Sequence, residues 1–300
     1  MQNNKVCIVK TQKDFDAANK LYTQYSEIKI IATGKRISVK SNHKNITVYD
    51  KSEVDVYGYT QVKAYDGTTV HLHNYATCSA YSTSDVQKEV VNVYADDQTT
   101  VYAHGNTKVY AMKQATVVAC DSACVAASEN ATVTAIDRVK VTLYNYASCV
   151  ADNDAHIFAT QRAFVDAKNR VSVEAYGEST VDVKDMVTVF ANNNARVVAH
   201  DDAVVTCFGE STVRLFDTTV AWLNDNSRAV ATGATTVKAM DTATVLVNST
   251  DVSVVAGDNV HVVCTCNTSN VTTNKNTTLL IAPQTVEEYV NRYTVQHTEK

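Results

Sequence analysis

The sequence predicts an all-β chain folded as a β-solenoid, and a short repeat with a two-residue alternation predicts it. An eight-residue unit recurs almost without interruption from Lys44 to Asn267 in a chain of 300 residues. Residues 99–138 read TTVYAHGN, TKVYAMKQ, ATVVACDS, ACVAASEN and ATVTAIDR, a pattern of small-x-Val-x-Ala-x-Asp/Asn/Gly-x. The alternation has period two, so the first, third and fifth residues of each unit point inward from a short strand and those between face solvent. Asp, Asn or Gly then turns the chain, because these residues tolerate left-handed backbone or bond their own backbone. Strands and corners repeated in this way stack into a solenoid, each rung burying its narrow core against the next.

The unit occurs 28 times, with Val at the centre of 22 and Ile46, Cys78, Cys149, Ile157, Ala221 and Ala229 at the rest. Two slips interrupt the register: one residue is missing between Val86 and Val93, and one is added between Val245 and Val254. Outward aromatics indicate how many units make a coil. Odd-numbered units carry Tyr49, Tyr65, Tyr81, Tyr94, Tyr110, Tyr144, Phe158, Tyr176, Phe190, Phe208 and Trp222, whereas even-numbered units carry only Tyr57, Tyr102 and Phe216. Such parity predicts two units per coil, giving about 14 two-faced coils of 16 residues with every odd-unit aromatic on one face. Four units per coil preserve the same parity and form the alternative.

A stack of strands leaves an open edge at each end, which invites aggregation unless covered. Residues 11–26 place Phe15, Ala18, Tyr22 and Tyr25 on one helical stripe, and Ile28–Val39 leads into the first coil. At the other end the repeat dissolves into a Thr/Asn-rich stretch, 267–278, followed by LLIAP. Thr285 and Glu288 then form a capping-box pattern ahead of Val286, Tyr289, Val290 and Tyr293. The expected organisation is an N-terminal cap with one helix (1–43), a solenoid (44–267) and a C-terminal cap with one helix (268–300).

Composition narrows the function classes. One Pro and 8 Gly exclude collagen-like and Pro/Gly-rich disordered chains, and a net charge of −5 with scattered Lys and Arg gives no footprint for nucleic acid. No secretory signal or membrane span is read, so a cytoplasmic chain is expected. Cys78, Cys149, Cys207 and Cys264 occupy inward positions, where a free thiol acts as a small hydrophobe. Cys120 and Cys124, like Cys264 and Cys266, lack the second pair of ligands that a structural zinc site needs. Asn45, Asn130 and Asn248 stand in glycosylation-acceptor triplets but are read as turn residues preceding strands.

Asp166 and Asp182 stand one coil apart on one outward row, beside Lys168 and Lys184. Paired carboxylates could serve a carbohydrate-active β-helix enzyme, but each acid is offset by an adjacent base, and a solvated ladder is the expectation. Most other Asp residues, including Asp121, Asp137, Asp185, Asp201, Asp217 and Asp241, sit at corners and turn the chain. His71, His73, His104 and His200 are placed outward on the even face. A metal could bridge His71 and His73, but no third ligand is evident, so neither metal nor cofactor is expected. The Thr100, Thr116, Thr132, Thr180, Thr212 and Thr244 row suggests ice binding, yet Phe164, Arg196 and Arg228 break it.

The aromatic stripe is thus the leading binding candidate: Tyr110, Tyr144, Phe158, Tyr176, Phe190, Phe208 and Trp222. From Tyr144 onward the ring alternates between the two outward positions, a zigzag of ridges and hollows that could interlock with a second copy across a two-fold axis. Stacked rings also stabilise a sheet by roughly 0.2–1 kcal/mol per pair, so a purely stabilising ladder stays open beside an interface.

Octads of this type resemble the repeats of β-solenoid proteins of bacteriophages and prophages, with Thr99–Asn106, Ala131–Arg138 and Val171–Glu178 as close matches. The resemblance covers residues 44–267 and implies a phage-associated, non-enzymatic accessory protein with no catalytic residues to carry over. Val183, Leu215 and Cys207, at positions where the family has Ala, depart from it. The expected function is protein binding, as a self-associating homodimeric scaffold or as an inhibitor of a host protein or defence complex. The alternatives are a carbohydrate-active enzyme and a virion appendage component.

Overall fold

A computed structural model describes residues 5–82, 90–266 and 270–281. Stacked parallel strands form a β-solenoid of about 15 turns. The chain comprises two compact units, Met1–Val165 and Asp166–Lys300. In both, strands alternate between two parallel sheets, here sheet A and sheet B, so that each strand pairs with the next but one in sequence.

In the first unit Thr100, Val101, Tyr102 and Ala103 of sheet A lie over Thr116, Val117, Val118 and Ala119. Lys108, Val109, Tyr110 and Ala111 of sheet B lie over Cys124, Val125, Ala126 and Ala127. The two-unit coil is therefore the observed one, and the four-unit alternative falls. Inward rows are sealed: Ala131, Val133 and Ala135 are all buried, as are Val171, Val173 and Ala175 in the second unit. Each buried Val contributes roughly 1.5–3 kcal/mol relative to exposure. Cys78, Cys149 and Cys207 lie in these rows, and burial pushes their thiols up to about 12.

Corners follow the sequence reading. Asp121, Asp137, Asp185, Asp201, Asp217 and Asp241 all have positive φ, between 55° and 68°. They also do more than turn the chain. The Asp201 carboxylate accepts the Asp185 N–H at 3.3 Å, and Asp217 accepts the Asp201 N–H at 3.3 Å. On the opposite corner the Gly209 N–H donates to Asp225 at 2.9 Å and the Asp225 N–H to Asp241 at 3.1 Å. A corner carboxylate thus satisfies a backbone donor that the tight turn would otherwise leave without a partner.

The slip after Val245 stands, since Val245 pairs with Val262 and Val237 with Val254. The slip at Val86 has a different meaning. Val93 pairs with Val70, and Val101 with Cys78, so no sheet strand falls between Cys78 and Val93 among the described residues, and residues 83–89 lie outside them. The Asn74 N–H bonds Asp97, 23 residues on, where the equivalent bond from Gly105 to Asp121 spans 16. That coil is seven residues longer than the 16-residue coils, and unit parity inverts beyond it.

At the N-terminus α1 (Gln12–Lys20) starts in a capping box made by Thr11 and Asp14 and buries Phe15 and Ala18. It is shorter than the stripe predicts. Tyr22 stands on a following 3₁₀ turn, exposed, because the chain must swing into the strand Glu27–Ile30. That strand and Ile37–Val39 already pair with Ile46–Val48 and Glu53–Val56, so stacking begins ahead of residue 44. The α1 side chains close the edge of sheet B: the Gln12 amide donates to Ser38 O and accepts from Ser38 N, at 3.0 and 2.8 Å, while Asn19 donates to Lys40 O. Beyond residue 267 both sheets continue, through Val271–Thr273 in the Thr/Asn-rich stretch and Thr278–Ile281 at the start of LLIAP, where the sequence reading placed no strand. The helix expected around Thr285–Tyr293 lies outside the described residues.

Candidate functional site

The inverted parity redistributes the aromatics. Tyr49, Tyr65 and Tyr81 stack on sheet A at 4.6 and 5.5 Å, whereas Tyr94 and every later ring of the predicted stripe belong to sheet B. The single eleven-ring stripe is thus corrected to two ladders on opposite faces, because the longer coil moves the chain across by one strand. Tyr57 likewise lies on sheet B and Tyr102 on sheet A. The even-face histidines also part: His71 and His73 go with sheet B, His104 and His200 with sheet A.

All seven binding candidates lie on sheet B. In the first unit these are Tyr110, Tyr144 and Phe158. Tyr94 stacks on Tyr110 at 5.0 Å, and Tyr94, Tyr110 and Tyr144 are 38–43% exposed. Phe158 sits over Thr142. In the second unit these are Tyr176, Phe190, Phe208 and Trp222, all part-buried. Tyr176 and Phe190 are 6.3 Å apart and Phe190 and Phe208 4.9 Å, although Phe190 occupies the strand position and the other two follow their strands. These diagonal contacts close the hollows expected of the zigzag and join the three rings into a strip, with Glu174 beside Phe190 accepting from the Tyr176 hydroxyl at 3.3 Å. Trp222 extends it beside Thr206. The equivalent strand positions of sheet A hold Val198, Arg214 and Val230, where the charge breaks any such strip.

The carboxylate pair stands where expected. Lys184 N–H donates to Ala167 O at 3.0 Å, which sets Asp182 beside Asp166 on sheet A. Oδ1 of Asp182 is buried and makes no hydrogen bond.

His71 and His73 form part of an ion network rather than a bare pair. Arg36 bridges Glu53 and Asp55, His71 Nε2 lies 2.9 Å from the Arg36 guanidinium and 3.2 Å from Glu53, and His73 lies 3.4 Å from Asp55. Hydrogen bonding to Arg36 holds the Glu53 carboxyl below the usual carboxylate range. Desolvation, then the Arg36 charge, push His71 below its ordinary value.

A cluster that the sequence reading missed lies on sheet A of the first unit. His104 Nδ1 is 2.9 Å from Cys120 Sγ, and Cys120 Sγ is 3.5 Å from Asp121 Oδ2. The imidazole is held by stacking on Tyr81 at 5.0 Å with 6° between planes. Asp121 is held by accepting the Gly105 N–H at 3.0 Å. Gly105 is required here: it has φ +63°, and an added Cβ would lie 1.8 Å from Ser82 O. Desolvation, then Asp121, push the Cys120 thiol up to about 11, so it is protonated at neutral pH and does not behave as an activated nucleophile.

Among the described residues no helix is long and apolar enough to cross a membrane. The chain matches no protein-family model, no curated protein and no solved structure.

Proposed function

We propose that the chain acts without catalysis, by binding proteins through the aromatic strip of sheet B, and that its first partner is a second copy of itself. The observation that carries the reading is the contact of Tyr176, Phe190 and Phe208 at 4.9–6.3 Å on a sheet face whose opposite side is already the core. Ring contacts of this kind add only roughly 0.2–1 kcal/mol per pair to the fold, and a contiguous apolar strip on a monomer usually marks an interaction surface. Aromatic residues near the centre of an interface carry most of its binding energy. The octad resemblance extends the proposal to a phage-associated accessory acting in a bacterial cytoplasm, with a host protein or defence complex as a further target.

Light scattering tests it. Replacing Phe190 and Trp222 with Ser is expected to shift the protein from dimer to monomer with unchanged circular dichroism, since both side chains point away from the core. Replacing Val198 and Val230, the matching positions of sheet A, is expected to leave assembly unchanged. A wild-type chain that stays monomeric at high concentration overturns self-association, and equal effects of the two double variants overturn the assignment to sheet B.

A further inference from the structure

We propose that His104, Cys120 and Asp121 form a binding site for a divalent late-transition cation of the zinc type, clamping two successive coils of the first unit. Imidazole nitrogen, thiolate sulfur and carboxylate oxygen are the donors that such cations take, and their three candidate atoms all lie within 4.8 Å of one another. Among the described residues this is the one group of three His, Cys, Asp or Glu side chains so arranged.

Two of the three separations lie close to those that the ion requires, and the third, between His104 and Asp121, lies within 4.8 Å. With Zn–N and Zn–O near 2.0 Å and Zn–S near 2.3 Å, tetrahedral geometry separates neighbouring ligand atoms by about 3.3–3.5 Å. Cys120 Sγ and Asp121 Oδ2 already stand at 3.5 Å, and His104 Nδ1 and Cys120 Sγ, at 2.9 Å, need to open by only about 0.6 Å. The surroundings fix two of the donors as outer partners of a metal site do: Tyr81 lies flat on the imidazole, and the Gly105 N–H orients the carboxylate. His104 follows the Thr100–Ala103 stretch that pairs with Thr116–Ala119, the strand preceding Cys120 and Asp121, so the cation joins one rung to the next. This rung borders the longer coil, where the ladder that Tyr65 and Tyr81 continue from below ends on His104.

Three protein ligands leave a fourth position open at the solenoid surface for water or an added ligand. Coordination displaces the proton of the Cys120 thiol, which leaves to solvent.

Cobalt(II) is the probe. Titrated into chelator-treated, reduced full-length protein, it is expected to give a near-ultraviolet thiolate-to-metal charge-transfer band that saturates at one equivalent and is displaced by zinc. Cys120→Ser is expected to abolish the band. His104→Phe, which keeps the stacking on Tyr81, and Asp121→Asn, which keeps an acceptor for Gly105, are each expected to weaken cobalt binding tenfold or more, in line with roughly 10–100-fold losses at metal sites. Cys124→Ser is the control and is expected to change nothing. Absence of a charge-transfer band from the wild-type protein overturns the proposal whatever the variants do. So does a band that survives in a folded Cys120→Ser protein, or one that Cys124→Ser removes.

Discussion

His71 lies flat on Tyr94, with ring centroids 4.8 Å apart and 8° between the planes, across the one coil that spans 23 residues instead of 16. Burial, then the Arg36 guanidinium beside it, disfavours the protonated imidazole. Its folded pKa is below the ordinary 6.5, so the folded state releases its proton more readily than the unfolded chain. Stability from this group is therefore fully present above pH 6.5 and is lost as pH falls through the folded value. A proton-NMR titration is expected to place the His71 midpoint below 6.5, and Arg36→Gln to move it upward. A midpoint at or above the ordinary value in the wild-type chain rules this account out.

Core register is tested one unit at a time. Val133→Asp and Val173→Asp each bury an unpaired charge in a row with no partner, a cost of several kcal/mol. Soluble expression is expected to fail for both, and Val133→Ala is expected to cost about 1–3 kcal/mol. Unchanged melting of either Asp variant contradicts the inward assignment.

Corner carboxylates separate two contributions. Asp201 has φ +56° and accepts the Asp185 N–H. Asp201→Ala is expected to lower stability by about 2 kcal/mol, combining left-handed strain with a lost hydrogen bond. Asp201→Gly removes only the bond and is expected to fall between, and Asp201→Asn to melt close to wild type. Thermal melting of the three variants gives the order.

The edge closure by α1 has its own assay. Gln12→Ala with Asn19→Ala frees the Ser38 N–H, the Ser38 carbonyl and the Lys40 carbonyl. An open strand edge recruits other chains, so the double variant is expected to aggregate several-fold faster at equal helix and sheet content. Turbidity at matched concentration measures it, and an unchanged rate removes α1 from the closure.

Strands, inward rows and corners were legible because each octad repeats its own two-residue alternation, and Ala131, Val133 and Ala135 say the same thing as Ala195, Val197 and Ala199. Parity was not. Val86 reads as the centre of a unit, and only the pairing of Val93 with Val70, 23 residues earlier, reveals the change of parity. The helix stripe was overread at Tyr22 because i, i+3, i+4 spacing is indifferent to where the next strand must begin. The His104 cluster escaped because metal-ligand spacings describe local loops, whereas a solenoid makes neighbours of residues 16 apart. Scanning for His and Cys at that interval finds it.

The uniformity of the inward rows has a cost for folding. Val101, Val117 and Val133 follow one another on sheet A in the first unit, and Val181, Val197 and Val213 on sheet A in the second, so a chain displaced by one whole coil meets the same side chains again. Looping out a coil is penalised by closure entropy that grows only slowly with loop length. Discrimination falls to the few inward residues that break the monotony. Leu143 sits between Ala127 and Ala159, Leu215 between Ala199 and Ala231, and Leu223 between Cys207 and Ala239. Each large side chain has small neighbours above and below, and displacement by one coil sets it against the wrong pair. These leucines serve as index marks on an otherwise featureless scale, and smoothing them to alanine would trade a single native register for several nearly equivalent ones.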